Sequence, residues 1–458
     1  MVIYQKWNNP DYRGNPLIEA LPKCLDQAEI IKECIKAPLF KEEEKKHEDV
    51  EREIYSERLD SCTIPNHNYY RTYKKIYKLL LKSYVNKSPI SPESKQLLYS
   101  VASDGKNAPS PEIVKQTTSK TFFLTGLSGM GKSWMIEIIL DKLFQQVITH
   151  ESYNDEKLNI TQIVYLKFNC PSDASRRALC NNFFSAIDDL LGTNFYEENN
   201  NKNIPIETLE KNIKKLCLTY HIGLIVIDEL QNLSIAKAGG AQIAMQFFES
   251  IVNELHVSLA FVGTYDCFYL YTDKFRTARR MSTEGIIDLE QPQEDDETWN
   301  QLLEKLWKFQ WVQNPGELTS DIRHTAYELT QGITVCTVML LKHANAYAIE
   351  NGEETITAET LTTVYNEEFK LLMPALDALR SNNPEKVANY DDLMPIAQKI
   401  KNMKSEQGEN ISDSQKSENE LKSKPNPLQK KKRKDETAKD NYNRLNSSGF
   451  FSGDASSI

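Results

Sequence analysis

The sequence predicts an α/β fold, a parallel sheet flanked by helices, on three observations. Short apolar runs alternate with amphipathic helical stretches from residue 111 to about 290. The first of those runs opens onto a glycine-rich loop, TGLSGMGKS, that leads directly into a helical pattern. A later run, IGLIVIDE, is apolar enough to be covered on both faces and closes on two carboxylates. Strands and helices alternating in this way make a parallel sheet, because parallel neighbours need a crossover, usually a helix.

The loop is the first element to justify. Gly126, Leu127, Ser128, Gly129, Met130, Gly131, Lys132 and Ser133 have the spacing G-x-x-x-x-G-K-S. Leaving a strand (TFFLTG) and opening a helix (WMIEIILDKLF), such a loop turns backbone N–H groups and a positive helix end toward one point, which suits a polyphosphate such as that of ATP. Lys132 is expected to reach the β- and γ-phosphates, and the Ser133 hydroxyl to ligate Mg²⁺. A loop of this kind requires a carboxylate at the end of a neighbouring strand, and IGLIVIDE supplies it. Asp228 suits the magnesium role, and Glu229 is placed to polarise the attacking water.

The remaining strands are QIVYLKFN and VSLAFVGT, with helices ALCNNFFSAIDDLL, IETLEKNIKKLCLTY and AQIAMQFFESIVNEL between them. The last strand delivers Thr264 beside the acidic pair, where its hydroxyl either orients water toward the γ-phosphate or caps the next helix. The stretch KFRTARRMSTEG follows, then a strand-like IIDLE. Of its arginines Arg276, Arg279 and Arg280, the last two are candidates for a finger that enters a neighbouring subunit's site. The alternative is a solvated helix face.

Around this core, residues 1–110 read as a helical extension, 111–290 as the nucleotide domain, 291–375 as a small helical lid, and 376–458 as a linker and a polar, disordered tail. At 458 residues and 40% hydrophobic, the chain has room for more than one unit and a sizeable core. No apolar run approaches the ~20 residues of a membrane span, and the first residues form neither a signal nor a transit peptide, so a cytoplasmic protein is expected. Its eight cysteines show no C-x-x-C spacing, which argues against a zinc site or a disulfide framework.

With the phosphate loop, the hhhhDE strand, the polar-ended strand, the trailing arginines and the helical lid in view, the chain resembles an AAA+ ATPase. Finer stretches narrow the resemblance: YRGNPLIEALP at 12–22, IPNHNYY with Pro65, Asn66 and His67, CPSDASRRALCNNFFSAIDDLLGTNF, VIDELQNLS, FVGTYDCF and TQGITV. These are similar to the TnsC/TniB group, the regulator ATPases of Tn7-like bacterial transposons, over roughly residues 10–375. The resemblance implies a protein that binds ATP and Mg²⁺ and oligomerises as a ring or filament on double-stranded DNA. It also implies partners, a target-selector protein and transposase subunits, with DNA insertion as the output. Thr264 then matches the sensor strand, and Arg279 or Arg280 the trans-acting finger. Many AAA+ lids place an arginine just after the lid glycine; TQGITVCTV has none. A helicase loader or remodelling ATPase shares all the nucleotide motifs and is the alternative. A signalling ATPase would need a long sensor domain after the lid, which the tail does not supply.

The net charge is −10, yet the residues after 400 carry twelve Lys or Arg and nine Asp or Glu, so the body before them stands at −13. DNA affinity must therefore come from a local basic face. Arg176 and Arg177, in the DASRR turn, are the candidates within the core, against the alternative of solvated surface arginines. The run Lys430 to Lys434 is a second positive element, either a flexible DNA or partner contact or merely solubilising. No recognition helix, zinc-finger spacing or RNA-stacking signature is visible, so backbone and shape binding is expected.

Overall fold

The computed structural model describes residues 2–92, 94–96, 119–173, 175–235, 240–268, 282–381, 383–387 and 390. All of them belong to one compact unit, Met1–Met403.

The N-terminal residues pack against the sheet. After the short helical turn Pro16–Glu19 come α1 (Gln27–Cys34), α2 (Asp49–Ser56) and the long α3 (His67–Tyr84). Asn15 starts the first turn by accepting from Leu17 N and fastens it to the end of α3 by donating to Tyr84 O at 2.7 Å. Leu17, Ile18 and Leu21 are almost wholly buried there. Asn66 caps α3, its side chain accepting from Asn68 N at 2.9 Å.

The nucleotide domain begins with β1 (Thr121–Gly126) and α4 (Lys132–Leu143), followed by β2 (Val147–Tyr153), β3 (Glu156–Ile163) and β4 (Tyr165–Asn169). Then come α5 (Arg176–Leu191), α6 (Ile206–Thr219), β5 (Leu224–Asp228), α7 (Gly240–Leu255), β6 (Ser258–Val262) and β7 (Ile286–Leu289). Five strands form the parallel sheet in the order β4-β5-β6-β1-β7. The three central ones are buried at every residue, as strands covered on both faces must be. Side chains alternate between two cores. Phe123, Ile225, Ile227 and Phe261 meet α5, α6 and α7 through residues such as Phe184, Ile213 and Phe248. Phe122, Leu124, Val226 and Val262 meet α3 and α4 through Tyr73, Ile76, Leu80 and Ile139.

One feature departs from the sequence-based expectation. The run QIVYLKFN is not one strand: its first residues finish β3, which pairs antiparallel with β2, and the chain breaks at Val164 before β4. The turn between β2 and β3 is Asn154–Asp155, both with positive φ (49° and 66°), the left-handed geometry that two-residue hairpin turns need. The N-terminal turn holds this hairpin. Gln162 donates to Leu17 O at 3.0 Å and pairs with His150 at 2.8 Å, while the Tyr153 hydroxyl donates to Glu19 at 2.7 Å.

The lid consists of α8 (Glu297–Leu306), α9 (Ser320–Thr330), α10 (Thr334–Glu350), α11 (Ala358–Glu368) and α12 (Met373–Arg380), around a core of Trp299, Leu303, Trp311, Leu340 and Leu361. Helix α2 packs on α10, and Arg52, fully buried, ties the two regions together. Its guanidinium forks onto Glu354 at 2.7 and 2.6 Å and donates to Trp311 O at 3.2 Å.

All eight cysteines are free, six of them buried, and burial pushes the thiols of Cys34 and Cys62 up to about 11. No described helix is long and apolar enough to cross a membrane.

Candidate nucleotide site

The loop between β1 and α4 takes its shape from its glycines. Gly126 has a φ of 149°, and a Cβ there would lie 2.4 Å from Leu289 O on the neighbouring strand, so only glycine lets β1 and β7 close at the loop's base. Gly131, with a φ of 79°, is the left-handed residue immediately before α4. The turn it makes aims the helix start back across the loop.

Lys132 is 8% exposed, and its ammonium is satisfied by the loop itself, donating to Gly126 O at 3.1 Å and Leu127 O at 2.7 Å. The adjacent Ser133 hydroxyl donates to Asp228 Oδ1 at 3.0 Å. Asp228 is 3% exposed, also accepts from Glu229 N at 2.8 Å, and has the Lys167 ammonium 3.8 Å from its other oxygen. One hydroxyl and one buried carboxylate in contact are oxygen donors of the kind that fit Mg²⁺, a hard cation that keeps several waters. Sequence reasoning placed these residues together, and the fold brings them together.

Glu229 follows with a positive φ of 55°, turning its side chain out of the strand direction. Its carboxylate accepts from the Gln231 amide, and Gln231 Oε1 accepts in turn from Thr264 N at 3.2 Å. Gln231 therefore joins the acidic pair to the exit of β6. The sequence reading passed over it; the only signal was a polar residue two places after the DE pair. Thr264 itself is 7% exposed, and its buried hydroxyl has no hydrogen-bond partner among the described residues. Its carbonyl accepts from Cys267 N at 3.2 Å at the start of the 3₁₀ turn Tyr265–Phe268 that follows.

Beside the loop lies a cavity of about 750 Å³. Ile64, Pro65 and Asn66 of the N-terminal region form one wall, Gly131 and Trp134 the floor, and Pro292 and Thr334 the lid side. Trp134 donates to the Thr63 hydroxyl at 2.8 Å, fixing the N-terminal wall to α4. The lid touches the loop directly, Val335 N donating to Gly129 O at 3.0 Å. Asp288 also lines the cavity; it accepts from the Tyr265 hydroxyl at 2.7 Å, and burial raises its pKa above the usual carboxylate value.

Arg276, Arg279 and Arg280 lie outside the described residues. Arg176 and Arg177 are described, at the start of α5, and both are engaged within the chain. Arg176 pairs with Glu210 of α6 at 3.1 Å, and Arg177 donates to Ile204 O at 2.6 Å and Asn201 O at 3.3 Å.

A phosphate loop at the tip of β1, an acidic pair at the tip of β5 and the polar end of β6 between them define a nucleotide site at the carboxyl edge of a parallel sheet. The family model described as "AAA domain" matches residues 115–270. The fold is that of an AAA+ P-loop ATPase. Among solved structures, the chain is similar to a Walker-type ATPase of Pyrococcus abyssi, with 15% identity, 64% of this chain and 75% of that one covered, and a TM-score of 0.40. Similarity extends to Drosophila ORC bound to DNA (12% identity, 71% and 79% covered, TM-score 0.37). It extends also to the Thermotoga maritima RuvB Holliday junction branch migration motor (11% identity, 60% and 66% covered, TM-score 0.32). No curated protein matches the sequence.

Proposed function

We propose that this AAA+ protein is an ATP-switched regulator of DNA transposition. In this reading it oligomerises on target DNA, links a target-selector protein to the transposase and activates insertion there. In the site, Lys132 and the loop amides hold the phosphates, Ser133 and Asp228 hold Mg²⁺, and Glu229 polarises the attacking water, which Thr264 orients. Mg²⁺, when held by Ser133 and Asp228, would supply charge neutralisation to the phosphates. Arg279 or Arg280 of an adjacent subunit completes the site.

The observation that carries this reading is the place of the N-terminal motif. YRGNPLIEALP is a more specific part of the resemblance to the transposition regulators than the nucleotide motifs, and its residues here form a specific joint. Asn15 binds the end of α3, Leu17 O accepts from the hairpin residue Gln162, and Glu19 accepts from Tyr153 and from Gly14 N at 2.8 Å. A motif that is built into the ATPase unit, and not appended to it, supports a resemblance of the whole unit. A helicase loader or remodeller fits the nucleotide motifs equally but gives this joint no reason.

The test is electron microscopy and gel-shift titration of the protein with duplex DNA and a non-hydrolysable ATP analogue. The expected result is cooperative, nucleotide-dependent assembly on DNA that weakens steeply with salt. Tight, nucleotide-independent binding of a monomer to one sequence would overturn the proposal.

A further inference from the structure

The body of the chain is acidic, yet between Asp60 and Glu93 there is no carboxylate, and six Lys or Arg fall in that interval. Most of it is α3. One side of this helix is core: Tyr69, Tyr73, Ile76, Tyr77, Leu80 and Tyr84 are buried against the sheet and α4. The other side exposes His67, Arg71, Lys74 and Lys78, at steps of four, three and four residues, the spacing of one helical stripe. Lys75 and Lys82 flank the stripe and are tied to Glu284, through its carbonyl and its carboxylate respectively. Arg71, Lys74 and Lys78 pair with no described carboxylate. Arg71 donates to Asn68 at 3.1 Å, and Lys74 lies 5.1 Å over the ring of Tyr70.

We infer that this outward face of α3 is a contact surface for the sugar-phosphate backbone of duplex DNA, an inference that rests on the proposed function above. Three considerations select the occupant. From His67 to Lys78 the stripe rises about 16 Å, an axial length that carries roughly five phosphates of one DNA strand. No large apolar side chain on α3 is exposed, whereas the centre of a protein–protein interface needs apolar or aromatic anchors. An unbroken run of one sign without an anchor matches a polyanion. In addition, Arg176 and Arg177 already have partners inside the chain, whereas Arg71, Lys74 and Lys78 on α3 pair with no described carboxylate. Each added subunit of an oligomer repeats the stripe, which answers how an acidic protein holds DNA.

The test uses the full chain with a non-hydrolysable ATP analogue, Mg²⁺ and a fluorescent duplex of arbitrary sequence, titrated over a salt series. Lys74→Gln/Lys78→Gln is expected to weaken DNA binding about tenfold or more and to reduce the salt slope by about two for each engaged protomer, evenly across sequences. Binding of the nucleotide analogue stays unchanged, and Lys74→Arg/Lys78→Arg retains DNA binding. If the wild type binds and the glutamine variant matches its affinity and slope, the surface assignment is overturned while the proposed function stands. If the wild type itself fails to bind DNA at low salt, the functional reading falls and takes this inference with it. Loss of binding in the arginine variant as well, or loss of self-association without DNA, assigns α3 to folding or to an interface between copies and equally overturns the inference.

Discussion

Arg52 is where the N-terminal region can be unfastened from the lid with a calculable cost. Its side chain is fully buried and makes two bonds to Glu354, one to Asp49 at 2.6 Å and one to Trp311 O. Replacing it by Met keeps most of the volume but leaves Glu354, only 17% exposed, with Gln313 N at 2.9 Å as its remaining partner. Removing one member of a buried pair costs about 3–5 kcal/mol. The partial exposure of Glu354 puts the expectation at the low end, about 3 kcal/mol, which is roughly a hundredfold in a local opening constant. Because a chain of more than one unit need not unfold in a single step, the assay is hydrogen exchange resolved by peptide. Protection in α2 and in the start of α11 falls about a hundredfold, while β1 and β5 hold. The Arg52 contact also holds the Glu354 carboxyl below its ordinary value. Its contribution is therefore present above the unfolded carboxylate pKa and is lost as pH falls through the folded one, and Arg52→Met removes that acid dependence. Protection within threefold of wild type, with the acid dependence intact, would refute the clamp.

Lys132→Ala removes the cation nearest the expected β- and γ-phosphates and abolishes ATP binding; unchanged affinity by calorimetry would remove the phosphate-loop assignment. Glu229→Gln leaves ATP binding intact and lowers hydrolysis by ~10²-fold or more, the scale of a general base, with DNA held longer in the trapped state. Gln231→Leu breaks the link from Glu229 to the Thr264 amide and lowers turnover about tenfold, the worth of one hydrogen bond, without affecting nucleotide affinity; a steady-state assay at saturating ATP decides it. Burial lowers the Lys87 amine to about 7. Between that value and the unfolded lysine pKa the unfolded chain binds the extra proton, so stability due to this group rises with pH across pH 7 to about 10. Lys87→Met removes that rise, read as the difference between wild-type and variant denaturation curves over the interval.

What the sequence made legible was local. Gly126 to Ser133 are consecutive, and their geometry is set by left-handed glycines and a helix start, so the loop could be read without knowing its neighbours. The run at 224–228 announced a strand buried on both faces by its unbroken apolarity, and the structure buries every residue of it. What escaped were the partners. Arg176 and Arg177 stood out as cations at a helix start, but Glu210 and Ile204, which occupy them, are 34 and 27 residues away. The hairpin was hidden because β3 and β4 follow each other with one residue between, and a continuous apolar run reads as a single strand. Arg52 looked like one more charge in KEEEKKHEDVEREIYSERL; its partner lies 302 positions on.

These long-range contacts make the N-terminal region the piece that touches everything. Within 50 residues it clamps the lid through Arg52, walls the cavity with Ile64, Pro65 and Asn66, and then runs as α3 across the sheet. His67 and Arg71, the first members of the exposed stripe, also line that cavity, on the same helix as Lys74 and Lys78. Thr72, one turn inside, donates to Met135 of α4 at 3.5 Å, so the helix that follows the phosphate loop and the helix that carries the stripe are in direct contact. The cavity therefore borders the loop, the lid and the first turn of α3 at once.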